Sequence, residues 1–162
     1  MKLKIRKYPE PVLREKTKTV KNPLDKEVQD LIVSMLETMV KENGVGLAAT
    51  QVGSNFRLCT IGIDGETYVL INPKITTKSK EKVISEEGCL SFPGEFFPIS
   101  RHANVQVRYI DQAGAEKKLK GNGLLARALQ HEIDHLDGIL IIDRIKKSRK
   151  QPLKKDKIHP VK

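Results

Sequence analysis

The sequence predicts an α+β fold in which antiparallel or mixed sheets pack around one central helix. Three observations support this. A helical apolar pattern opens the body at residues 25–42, and several strand-like stretches follow between residues 56 and 120. A second helical pattern around residues 124–138 then closes the body and contains the run HEIDH, residues 131–135. At 162 residues, with no internal repeat, the chain is most simply one domain large enough for a real core. The expected division is a folded body over residues 1–145 and a basic tail over 146–162.

The elements can be justified in order. Residues 1–24 lack periodicity, and Pro9, Pro11 and Pro23 mark irregular backbone. Val12 and Leu13 are the expected anchors of this arm. In the first helix Leu31, Met35 and Met39 share a face widened by Val28, Ile32 and Leu36. Asp25 is the candidate cap, and Gly44 after Asn43 the expected stop. Residues 56–63 (FRLCTIGI) and 68–71 (YVLI) form a hairpin about Asp64-Gly65, ended by Asn72-Pro73. Residues 75–83 suggest an exposed edge strand. Residues 103–111 alternate as a strand should, and 115–120 return as its partner. Cys59, in the middle of a strand, is expected to be an ordinary buried thiol. Asn122 is a candidate cap for the final helix, whose apolar face is Leu125, Leu129, Ile133 and Leu136, with Gly138 as its stop.

Composition narrows the function classes. No apolar run is long enough to span a membrane. The basic start MKLKIRKYP lacks the apolar segment and cleavage site of a signal peptide. Two cysteines make no disulfide framework, so a reducing, cytoplasmic setting is expected. The formal charge of +10 is concentrated in the tail. It suits a polyanionic surface such as ribosomal RNA. No zinc finger, helix-turn-helix or aromatic interleaving indicates sequence-specific nucleic-acid binding.

The chemistry centres on HEIDH. Residues four apart lie on one helix face, so His131 and His135 can hold one metal ion, and Glu132 can reach a water on it. Catalytic sites of this kind use three protein ligands and leave one position open. No carboxylate after Gly138 is convincing. Cys89 is the best remaining ligand, because Gly88 leaves room and the surrounding EEGCLSFPG reads as a polar functional bend; His102 competes with it. Gln51, in the glycine-rich stretch at residues 44–53, can donate its amide to a developing oxyanion if it faces the metal. Taken alone, that stretch is equally a tight turn in the core.

Three separated motifs, GVGLAATQ at 44–51, EGCLS at 87–91 and HEIDH at 131–135, resemble those of the peptide deformylases, which remove the N-formyl group from new polypeptides. The likeness covers about residues 3–145. It implies a deformylase-like fold, with Cys89, His131 and His135 holding one divalent ion. In this family the ion is natively Fe2+, replaceable by Zn2+, Ni2+ or Co2+. It makes Glu132 the general base and acid, and gives the formyl oxygen to Gln51 and the backbone N–H of Leu90. Val45 and Gly46 would pair with the substrate backbone as an added strand. Val45, Glu87, Gly88, Leu124, Arg127 through its stem, Ala128 and His131 would surround the methionine side chain. Asp134 would pair with Arg101 behind the site.

The chain departs from the family pattern in places. Phe96 stands at the cleft mouth where well-known members carry arginine, and Arg127 replaces an aliphatic residue, its head expected in solvent. The partners implied are N-formyl-methionyl nascent polypeptides; the tail, with Pro152 and Pro160 and no sustained apolar face, departs from the ribosome-docking helix of the longest members, so ribosomal contact through it is expected from charge alone. Two rival readings are a different HExxH metallopeptidase and a catalytically silent basic binding protein. The first lacks a downstream glutamate ligand; the second leaves Glu132 without a role.

Overall fold

The computed structural model describes residues 1–148. Helix α1 (Lys26–Lys41) leads into the short strand β1 (Gly46–Ala48) and a 3-10 turn, Ala49–Val52. Strands β2 (Leu58–Ile63), β3 (Glu66–Lys78), β4 (Lys82–Cys89) and β5 (Phe92–His102) follow. Strands β6 (Asn104–Ile110) and β7 (Glu116–Asn122) precede helices α2 (Gly123–Leu136) and α3 (Ile141–Ser148). Five strands form one antiparallel sheet in the order β1-β2-β3-β6-β7, and β4-β5 form a separate hairpin. Among the described residues no helix is long and apolar enough to cross a membrane.

The core follows the expected faces. Val28, Ile32, Met35 and Met39 of α1 are buried against Leu47, Leu58 and Ile71 of the sheet. Ala126, Leu129, Ile133 and Leu136 of α2 pack on Cys59, Ile61, Leu70, Val105 and Val107. Each fully buried aliphatic side chain contributes about 1.5–3 kcal/mol through water excluded from it. Every residue of α2 from Ala126 to Leu136 is buried, the polar ones included. That is why HEIDH ends up inside the protein rather than on its surface. Leu13, in a 3-10 turn at Pro11–Arg14, joins Phe92, Ile99, Leu140 and Ile141 in a third cluster that ties the N-terminal arm to the hairpin and α3.

Several local expectations are corrected. Neither Asp25 nor Asn122 caps its helix through its side chain. Asp25 stands at the N-cap position, but its Oδ1 accepts from Asn22 Nδ2 at 2.9 Å rather than from a helix N–H. The left-handed residue that stops α1 is Asn43, φ 56°, one position before Gly44. Asn72-Pro73 does not end a strand. It makes an irregularity inside β3, with Asn72 at φ 53° and its amide bridging both backbone groups of Val20 at 2.8 and 2.9 Å. The edge strand expected over 75–83 is split between the end of β3 and the start of β4. Helix α3 runs through the expected boundary at residue 145, and most of the basic tail lies outside the described residues.

Gly138 ends α2 as expected, and for two reasons: its φ is +73°, and a Cβ there would lie 2.6 Å from the Arg14 carbonyl oxygen. Gly138→Ala therefore meets both strain and a backbone clash. It should lower stability by about 1–3 kcal/mol in urea unfolding; an unchanged midpoint would refute this account of the α2 stop.

Candidate metal centre

Cys89 is the last residue of β4, and His131 and His135 project from one face of α2. Their ligand atoms lie within 4.8 Å of one another, and all three residues are buried. Cys89 Sγ is 3.3 Å from His135 Nε2, and the two imidazole planes meet at 61°. Cys89 thus sits on a strand end rather than the polar bend its neighbours suggested. The turn residues around it close a tight hairpin, with the register slipping between Gly88 and Cys89. His102, the rival ligand, is not in the group: its Nδ1 faces the Ser79 carbonyl at 2.6 Å.

The electrostatics favour an ion. Burial by itself would raise the Cys89 thiol, but His135 and His131 outweigh it and bring its pKa down to about 5, which presents a thiolate at neutral pH. Burial raises the Glu132 carboxyl above its usual range, against the opposing pull of both histidines. Glu132 is 2% exposed, and its Oε1 has no hydrogen-bond partner among the described residues. A soft thiolate, two imidazoles and an unsatisfied buried carboxylate fit a single divalent ion with a water or substrate oxygen beside it.

β1 and the turn after it complete the centre. Gly46 has no Cβ because one would fall on the Glu132 carboxylate. Gln51 is 1% exposed, its Oε1 accepting from the Ala48 N–H at 2.9 Å and its Nε2 lying 3.5 Å from Cys89 Sγ and 3.1 Å from Ser91 Oγ. Ser91 in turn donates to the Arg6 carbonyl at 2.7 Å. No local pattern singles out Ser91; its position two residues after Cys89, in the same turn, was the available signal. Leu90 lies in that turn, half-buried, and Val45 is half-buried just before β1. An open hollow of about 800 Å³ runs from Gly88, Cys89 and Leu90 past Phe96 to Leu3 and Ile5 of the arm. Phe96 is 45% exposed at its rim.

A buried ionic network stands behind the ligands. Glu87 is fully buried, so it is not an open wall of a side-chain pocket as expected. Its Oε1 meets His131 Nδ1 at 2.8 Å, and Arg101 grips both its oxygens at 2.8 and 2.9 Å. Arg127 Nη1 donates to Glu87 Oε2 at 2.6 Å and to the Ile99 carbonyl at 2.9 Å. The Arg127 head is therefore inside, not in solvent, held by the Glu87 carboxylate, which it shares with Arg101, and by the carbonyls of Ile99 and Val83. Arg101 also donates to Asp134 at 2.5 Å, the expected pair, and Arg144 holds Asp134 through two further bonds at 2.9 and 2.7 Å. Arg144 was not foreseen, because it comes from α3, past the last motif. Leu124 at the start of α2 is partly exposed, and Ala128, one turn on, is buried.

A thiolate, two imidazoles and a helix-borne glutamate beside them are the parts of a mononuclear metallohydrolase centre. The profile of the family described as "Polypeptide deformylase" matches residues 2–151. A peptide deformylase of Thermodesulfovibrio yellowstonii is 46% identical over 159 residues, covering 95% of this chain and 92% of that one. The crystal structure of peptide deformylase from Thermotoga maritima superposes with a TM-score of 0.86 at 41% identity, over 90% of this chain and 98% of that one. The Ehrlichia chaffeensis enzyme in complex with actinonin gives 0.86 at 39% identity, over 91% of both chains. The chain belongs to the polypeptide deformylase family.

Glu87→Gln leaves Arg127 buried without its countercharge and Arg101 with Asp134 alone. It should weaken metal retention about 10–100-fold in chelator competition and lower stability by about 3–5 kcal/mol. Burial raises the Glu87 carboxyl, but Arg101 and His131 outweigh it and hold it well below the usual range; Asp134 is likewise held low. Their contribution is therefore complete above the ordinary Glu87 value of 4.5 and is lost as pH falls through the depressed values. The acid limb of the stability curve should be shallower in Glu87→Gln than in the parent.

Proposed function

We propose that this chain hydrolyses the N-formyl group from the N-terminal methionine of newly made polypeptides, releasing formate and a free amine. Cys89, His131 and His135 would hold one Fe2+ ion, with Zn2+, Ni2+ or Co2+ able to take its place, in a reducing cytoplasm that keeps the thiolate available. The observation that carries the reading is the convergence of the Gln51 amide and the Glu132 carboxylate on one buried Cys-His-His ligand group.

The ion, when bound, supplies a Lewis acid and an acidified water. Glu132, its carboxyl raised by burial, accepts a proton from the attacking water and delivers one to the departing amine nitrogen as the C–N bond breaks. Gln51 Nε2 and the Leu90 N–H donate to the formyl oxygen as it gains charge. The Gln51 amide is held in that orientation from both ends, by the Ala48 N–H and by Ser91 Oγ. Val45 and Gly46 would pair with the substrate backbone. Leu124, Ala128 and Val45 would flank the methionine side chain, with Gly88 leaving space beside Cys89 and the buried pair Glu87 and Arg127 backing the site. Phe96, exposed at the rim, offers an apolar surface to the next substrate residue. Docking of residues 146–162 on ribosomal RNA belongs to the same reading.

The test is anaerobic turnover of formyl-Met-Ala-Ser by iron-loaded protein, beside its acetylated counterpart. Amine should appear only from the formylated peptide. Glu132→Gln should reduce kcat by about 10²–10⁴-fold with the metal retained. No release from protein shown to hold its metal would sink the proposal. Gln51→Ala should lower kcat by about 10²–10³-fold, the loss expected for one oxyanion donor; a rise in KM alone would argue that Gln51 binds substrate and does not stabilise the reacting state.

A further inference from the structure

The face of the five-stranded sheet on which α1 packs carries, beyond that helix, a charge pattern that the metal centre does not use. Lys74 on β3 stands directly opposite Arg108 on β6, and Arg108 stands opposite Lys118 on β7. All three are exposed. With strands about 4.8 Å apart, the three cations form one row roughly 10 Å long. Like charges directly opposite on neighbouring strands destabilise a sheet. Among the described residues none of the three is in an ion pair, whereas Lys2, Lys26 and Lys41 each meet a carboxylate. Lysine on β7 is the usual protection of a sheet edge. That explanation does not reach Lys74 and Arg108, because β3 and β6 are interior strands.

The surface continues the same chemistry. The next cross-strand row is Thr77, Gln106 and Lys120. At that end lies a hollow of about 500 Å³ lined by Lys78, Ser79, Asn104, Lys120 and Asn122 among others, with no carboxylate in its lining. Past Lys78 a second hollow of about 260 Å³ reaches Lys82 and Arg144; its one carboxylate, Asp134, is already held by Arg101 and Arg144. Hydroxyls, amides and ammonium groups without competing acids are what phosphate oxygens need. The one acid of this face on β7, Glu116, is the neighbour of Lys118 at the end of the strand away from the hollow.

We propose that this face binds the phosphate backbone of a folded RNA. The aromatic residue of β6, Tyr109, packs against the core, so the face has no platform for base stacking, and the contact is to the backbone. None of the exposed large apolar residues lies on it, so it has nothing to insert into a lipid surface. The choice of RNA as the polyanion rests on the proposed reaction, whose substrate emerges from an RNA-rich particle.

The test is fluorescence anisotropy of a labelled RNA duplex titrated with the full chain across a salt series. Replacing Lys74, Arg108 and Lys118 together by glutamine should weaken binding roughly tenfold at low salt and make the log–log salt slope shallower by about 2–3. A control variant with Lys16, Lys18 and Lys21 changed to glutamine removes the same charge from the N-terminal arm and should bind within about twofold of the parent. Equal weakening by both variants, no binding by the parent at low salt, or loss of binding to phosphatidylglycerol vesicles with RNA binding intact would each overturn the proposal. Formyl-peptide turnover and thermal unfolding, measured on the same proteins, should match the parent in both variants. Failure of the parent to turn over the peptide would count against the deformylase reading alone.

Discussion

One buried carboxylate holds much of this site together. Glu87 has no exposure, yet it meets an imidazole and a guanidinium group from α2 and a second guanidinium group from β5. A carboxylate taken out of water alone would cost several kcal/mol. Here both oxygens are satisfied by charge-assisted bonds from Arg101, Arg127 and His131, and Arg101 passes the network on to Asp134 and Arg144. Because His131 Nδ1 is engaged by Glu87, Nε2 is the nitrogen left to face the centre. The same network fastens the β4-β5 hairpin, which brings Cys89, to α2, which brings the two histidines.

The second constraint is steric. α2 is buried on all sides from Ala126 onward, so Glu132 is surrounded by protein, and β1 can pass it only where the side chain is a hydrogen. Gly46 therefore lets strand and carboxylate approach, and this brings Gln51, five residues on, over Cys89. The N-terminal arm closes the remaining side: Arg6 N–H donates to the Gln51 carbonyl at 2.7 Å, and its own carbonyl accepts from Ser91 Oγ. The position of Gln51, through its own carbonyl and through Ser91, is thus set in part by an arm with no periodicity of its own.

The two histidines and Glu132 were legible in the sequence because their spacing is local. His131 and His135 are one helical turn apart, the apolar positions around them mark the buried face, and Gly138 marks the end. The hairpin at Asp64-Gly65 and the span of α1 were legible for the same reason, since turn chemistry and a 3.6-residue period act over short distances. Contacts between distant segments were not legible. Arg127 looked like a solvent-facing head on an amphipathic stem, and only the approach of β4 shows why it turns inward. Glu87 looked like pocket lining for the same reason.

The sequence by itself determined the pair of histidines four residues apart, the glutamate beside them, the α+β class and the excess of positive charge. These depend on residue type and short-range period. The tertiary structure decided which residues brace the surroundings of the ligand group: Ser91 under Gln51, Arg144 on Asp134 and Arg127 on Glu87, separations of 40, 10 and 40 residues. It also decided that Lys74, Arg108 and Lys118 form one row, because strand register is set by long-range hydrogen bonding and side-chain packing that no local pattern encodes.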